Sequence, residues 1–154
     1  MQISALPWIV RSAFLSRDES RNKSLKALRA LVQEKVEKSL LGPDGILVTG
    51  LTPGIPHILA AHATVQGADY GSEQSVMLGN DLILPSSLFK NPVWDYVALG
   101  HIHRHQAIQP ERLPHVVYPG SVERIGFGEE KEDKGFVIAN IQGGECSWTF
   151  QKLD

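Results

Sequence analysis

The 154-residue chain has one cysteine, Cys146, which excludes an internal disulfide and any zinc module built on several thiolates. It has no apolar run near the ~18 residues of a membrane span. Nor does a basic n-region precede an apolar stretch at the N-terminus, as a signal peptide requires. An excess of either charge is lacking too. Fifteen Lys and Arg against 17 Asp and Glu leave a formal net charge of −2, which argues against a strong non-specific nucleic-acid binder but leaves room for a local basic patch. No Gly-x-Ser-x-Gly elbow and no Walker-type glycine loop occurs, so neither a serine-hydrolase triad nor a P-loop has support. Internal repeats and low-complexity tracts are absent. What is present is 42% hydrophobic residues, enough for a real core, in a length that fits one domain or part of a larger one.

Charge is uneven along the chain. Arg11 to Lys38 holds eight Lys and Arg against four Asp and Glu, while Glu129 to Asp133 is mostly acidic. Gln2 to Val10 is short and apolar, and predicts a strand ending near Trp8. Ser16 or Ser20 is a candidate cap for a helix running to about Leu41. Leu25, Leu28, Leu31, Val32, Val36 and Leu40 fall largely at helical steps and form one apolar stripe. Gly42-Pro43 ends that helix. Its basic outer face reads first as a solvated surface, with a DNA-backbone contact as the minority reading. Gly42 to Gly54 is turn-rich, with an extended segment over Ile46 to Val48. Pro56 to Val65 is a buried strand, and Gln66 to Ser75 a polar loop. Two short strands within Val76 to Leu84 are joined by a turn at Gly79-Asn80-Asp81. A helical turn follows from Ser86 to Phe89, then a central strand from Trp94 to Leu99. His115 to Tyr118 is a further short strand. Gly135 to Ile141 and Glu145 to Leu153 form a hairpin around Gln142-Gly143-Gly144. Cys146 lies in its second strand and reads as buried or inert. The order of elements gives an α/β domain with much of its sheet towards the C-terminus.

The chemistry gathers in Tyr96 to His105, an apolar run, a glycine, and then a histidine at every second residue. Period-2 alternation would put His101, His103 and His105 on one side. Neutral imidazole is the commonest protein ligand for a transition metal. His62 ends its own predicted strand. Taken alone it reads first as a hydrogen-bonded strand-end residue and second as a ligand. His105 lies further out and reads as a surface residue or a support for the others, and His115 as a surface residue. In α/β sheets, ligands gather at the C-terminal ends of strands, where His62, His101 and His103 fall.

Tyr96-Val97-Ala98-Leu99-Gly100-His101-Ile102-His103 resembles the Gly-His-x-His signature of calcineurin-like metallophosphoesterases, and most of all the SbcD-type nuclease subunit of DNA double-strand-break repair. Ala5-Leu6-Pro7-Trp8 is similar to that family's Leu-Pro strand, and Ala61 to Ala68 to its isolated-histidine motif. Tyr118 to Arg124, Phe127-Gly128-Glu129 and Lys134-Gly135-Phe136 resemble its later loop and closing strands. The resemblance runs in order over nearly the whole chain. It implies a β-sandwich flanked by helices in α-β-β-α layers, of which this chain would be the C-terminal portion, residues 1–154, with N-terminal strands missing. It also implies two divalent metal ions, usually manganese, ~3.5–4 Å apart and clamping an in-line displacement at phosphorus. His62 and His101 would ligate one ion and His103 the other. The implied activity is 3′→5′ exonuclease and endonuclease cleavage of DNA in repair and recombination, in the cytoplasm. The implied partners are DNA, an SbcC-like coiled-coil ATPase subunit and a second copy in the complete protein, with no membrane.

The family's Asp-x-His, Gly-Asp-x-x-Asp and Gly-Asn-His motifs do not occur. They bear the remaining ligands, including the shared aspartate, and no catalytic residue is assigned in this chain. Gly79-Asn80-Asp81 lacks the histidine and follows His62 instead of preceding it, so it is set aside as a ligand motif. Three imidazoles without carboxylates predict a chain that alone binds at most one metal weakly and is catalytically silent. Two alternatives stand beside the nuclease: a phosphoesterase acting on a small phosphoester, and a degenerate docking domain. A half-sheet left open by missing strands would be an aggregation liability.

Overall fold

The structure, a computed structural model, describes residues 1–16, 18, 21–71 and 81–153, with the backbone alone at 11 and 12. A five-stranded sheet forms its centre. The strands are β1 (Gln2–Leu6), β2 (His57–His62), β5 (Tyr96–Gly100), β6 (Gln106–Ala107) and β7 (His115–Tyr118). They lie in the order β1-β2-β5-β7-β6, parallel except for the short edge strand β6. Two smaller ladders accompany it: β3 (Thr64–Val65) beside β4 (Ile83–Leu84), and the hairpin of β8 (Gly135–Gln142) and β9 (Glu145–Lys152). The α/β class and the central place of the Tyr96 strand are as expected from sequence.

The described helices include α1 (Arg11–Phe14), α2 (Leu25–Val36) and α3 (Ile46–Thr49). Ser24 caps α2, its hydroxyl accepting the Ala27 N–H at 3.2 Å. Ser16 does not serve as this cap, and Ser20 lies outside the described residues. The last turn widens into a π-helix over Glu37–Leu41 and closes with the Gly42 N–H on the Glu37 carbonyl. A Cβ on Gly42 would come within 2.6 Å of that oxygen, which explains the glycine. Val32, Val36 and Leu41 are buried to within 1% and join Leu59, Val97 and Leu99 in the core. Each such side chain contributes roughly 1.5–3 kcal/mol, against ~1 kcal/mol for the cap, so packing holds the helix in place. The segment at Ile46 is helical, not extended. Gly45 serves as its N-cap, and Leu47 and Val48 pack on the core.

The other face of the sheet meets the hairpin. Strand register puts Ile3, Ala5, Ile58, Ala60, Tyr96, Ala98 and Val117 on that face. Tyr96 and Val117 are buried, and after burial itself the nearby Cys146 of β9 helps raise the Tyr96 pKa. Over β1 and β2 the same face is less covered, with Ile3 60% exposed. The hairpin turns on Gly143 and Gly144 with φ of 63° and 83°, the left-handed pair that a two-residue turn needs. The turn expected at Gly79-Asn80-Asp81, and the part of the polar loop from Ser72, fall largely outside the described residues. β4 confirms the end of the second strand expected there.

Candidate metal centre

Parallel pairing brings the C-terminal ends of β1, β2 and β5 to one edge. His62 lies opposite Gly100 in register. A Cβ on Gly100 would stand 3.1 Å from His62 Nδ1, so the glycine makes room for the neighbouring ring. The strand stops there. His101 has φ 102°, in the left-handed region that side chains rarely adopt. That turn aims its ring at His62 and at Trp8, which has just left β1. The ring centroids are 5.1 Å apart for His62 and His101, 4.5 Å for Trp8 and His101, and 5.8 Å for Trp8 and His62. Burial first, and then the neighbouring His101, lower the His62 pKa, which favours the neutral imidazole that binds metals.

His101 Nε2 lies 3.0 Å from Asp81 Oδ2, and the same carboxylate oxygen accepts from the Thr64 hydroxyl at 3.4 Å. The order of Gly79-Asn80-Asp81 along the chain is wrong for the family's ligand motif. Asp81 nonetheless reaches the histidines, because β4 pairs with β3 directly after His62.

The histidine repeat does not act as one face. Once His101 turns, period 2 is lost and the three rings diverge. His103 Nδ1 meets Glu129 Oε1 at 3.2 Å. His105 Nδ1 donates to the Tyr118 carbonyl at 2.8 Å, and its ring stacks on Phe150 at 4.0 Å and 10°. In this place His105 ties the hairpin to the sheet.

Glu129 sits in a turn that composition alone marks as solvated, yet it is 3% exposed and so is Lys134. Glu129 Oε2 and Lys134 Nζ are 2.7 Å apart, and Lys134 also donates to the His103 carbonyl at 3.2 Å and pairs with Glu132 at 3.0 Å. Burial pushes the Glu129 carboxyl up. Hydrogen bonds from Lys134, His103 and the Ile125 N–H outweigh it and hold the pKa below the usual carboxylate range. The ionised carboxylate accepts from His103 Nδ1 and so orients the ring. Carboxylates behind metal-binding histidines commonly do this. Gly120 lets the loop close, since a Cβ there would stand 2.7 Å from the His103 carbonyl. No sequence pattern marked Glu129 and Lys134 as a buried pair. Trp8 was legible only as a strand end.

Among the described residues no group of three or more His, Cys, Asp or Glu is placed to hold a metal ion. Two imidazoles with one carboxylate on one side, and a third imidazole turned to Glu129, do not fit a two-metal centre: among the described residues no carboxylate spans the two positions.

No protein-family model matches the chain. It is 32% identical over 96 residues to the uncharacterized metallophosphoesterase YhaO of Bacillus subtilis, covering 62% of this chain and 21% of that protein. It is 28% identical over 152 residues to the SbcD component of the nuclease SbcCD from Rhodobacter capsulatus, covering 93% of this chain and 34% of that protein. The chain thus spans about a third or less of the length of these relatives. Its resemblance to metallophosphoesterases, and to the SbcD-type nuclease subunit, holds at modest identity.

Proposed function

We propose that this chain is the histidine-bearing portion of a metal-dependent phosphodiester hydrolase of the SbcD type, a DNA nuclease whose carboxylate ligands come from sequence outside these 154 residues. The observation that carries the reading is the meeting of His62, His101 and Trp8 at one edge of parallel strands, in a chain similar to the SbcD component of a nuclease over 93% of its length. In the completed centre His62 and His101 would serve one divalent ion, manganese in this proposal, and His103 the other. Here this chain positions rings: Gly100 admits His62, the turn at His101 aims its imidazole, and Glu129 orients the ring of His103. The partly bare sheet face over β1 and β2 supports the view that further strands complete the domain. DNA, a coiled-coil ATPase subunit and a second copy belong to the same proposal, as does a cytoplasmic place. Among the described residues no helix is long and apolar enough to cross a membrane.

The test is complementation. The 154-residue chain is mixed with, or fused to, a segment bearing the Asp-x-His and Gly-Asn-His motifs, and offered duplex DNA and a small chromogenic phosphodiester with manganese. Preferential cleavage of DNA, lost in His101→Ala, is expected. Preference for the small ester would replace the nuclease reading. No cleavage of either would favour a degenerate docking domain.

A further inference from the structure

A cleft of about 610 Å³ opens between α2 and β4, lined by Leu25, Lys26, Arg29, Gln33, Asp81 and Ile83. Three features set it apart from an ordinary surface hollow. Lys26 and Arg29 stand three residues apart on a helix, so both cations face the same side. Leu25 is 64% exposed and Ile83 40% exposed, so apolar surface flanks the cations. The walls are fixed to one another, because the Gln33 side chain donates to the Ile83 carbonyl. Asp81 also lines the cleft, and its carboxylate is engaged by His101 and Thr64. One wall residue of the cleft is therefore bonded to the histidine edge.

Cations that take phosphates, beside apolar surface that takes sugars and bases, are how proteins hold a single strand without reading its sequence. The net charge of −2 conceals this patch, which lies in the basic stretch Arg11 to Lys38. We propose that the cleft seats one strand of DNA, with Lys26 and Arg29 bonding successive phosphates and directing the strand towards His101. This inference rests on the nuclease reading and names two positioning residues for it.

The experiment is fluorescence anisotropy of a labelled oligothymidylate with the 154-residue chain, titrated over a salt series without metal. Each phosphate contact to a single strand contributes about 0.7 to the slope of log affinity on log salt. The double variant Lys26→Ala/Arg29→Ala is expected to lose about 1.4 of that slope. Between about 50 and about 200 mM salt its affinity then falls about sevenfold less than wild type. Lys26→Gln alone should lose about half as much and serves if the double variant fails to fold. Lys38→Ala, on the π-helical turn away from the cleft, should leave most of the slope in place. A wild-type slope in the double variant overturns the proposal. So does absence of oligothymidylate binding at low salt, or equal displacement of the strand by polyphosphate, which lacks bases for the apolar walls. Cleavage by the completed domain is read separately. If binding depends on Lys26 and Arg29 while cleavage fails, the cleft stands and the nuclease reading falls.

Discussion

Tyr118→Phe should destabilise the fold by about 2–6 kcal/mol. Tyr118 is fully buried on β7. Its hydroxyl donates to the Ala63 carbonyl at 2.6 Å and accepts the Val65 N–H at 3.0 Å. Those two groups flank the break between β2 and β3, where the chain leaves the sheet just after His62. Phenylalanine keeps the ring and opens no large cavity. It removes both partners, leaving a buried carbonyl and a buried amide unpaired, at about 1–3 kcal/mol each. Urea unfolding monitored by circular dichroism reads the change as a lower midpoint at unchanged slope. Tyr70→Phe, in a half-buried loop, is the control and should stay within about 0.5 kcal/mol. The same phenol sets a pH limit. Burial raises the pKa of Tyr118 above its usual value and pushes Tyr96 up to about 12. A raised folded-state pKa means these groups contribute fully below the unfolded value of about 10. That contribution is lost as pH rises through the folded values. Stability should fall above about pH 10, and less steeply in Tyr118→Phe. A midpoint for Tyr118→Phe within about 0.5 kcal/mol of wild type would refute the claim that this hydroxyl bridges the break.

Three further substitutions probe other links. Lys134→Met leaves Glu129 buried without its cation and should cost about 3–5 kcal/mol, while Lys134→Met with Glu129→Gln should recover much of it; denaturant midpoints of the single and double variants decide. Gly100→Ala places a Cβ 3.1 Å from His62 Nδ1, so the His62 ring resonances should shift in NMR spectra while those of His105 stay in place. Ser24→Ala should cost about 1 kcal/mol and increase hydrogen exchange at the first turn of α2.

How much the sequence shows depends on how local each feature is. β5, the C-terminal hairpin and the stop at Gly42 after the π-helical turn that follows α2 come from patterns within a few residues, and all were legible. The start of α2 was misplaced because several serines precede it and only the fold chooses Ser24. Ile46 to Val48 reads as extended by composition, yet the segment Ile46–Thr49 is helical, with Leu47 and Val48 packed on the core. The histidine repeat misled for a related reason. Alternation holds only while the chain stays extended, and a left-handed residue at His101 ends it. Asp81 and the Glu129–Lys134 pair come from turns whose polar composition looks solvated, and only tertiary pairing places them behind histidines.

The most direct test of the central claim is the manganese stoichiometry of the 154-residue chain, measured by the loss of the free-ion electron paramagnetic resonance signal. A chain that carries the imidazole side of a two-metal centre without its carboxylates should bind no more than one ion, weakly. That binding should vanish in His62→Ala and in His101→Ala and persist in His105→Ala. Two ions held tightly by the chain alone, with nuclease activity lost in His101→Ala, would contradict it.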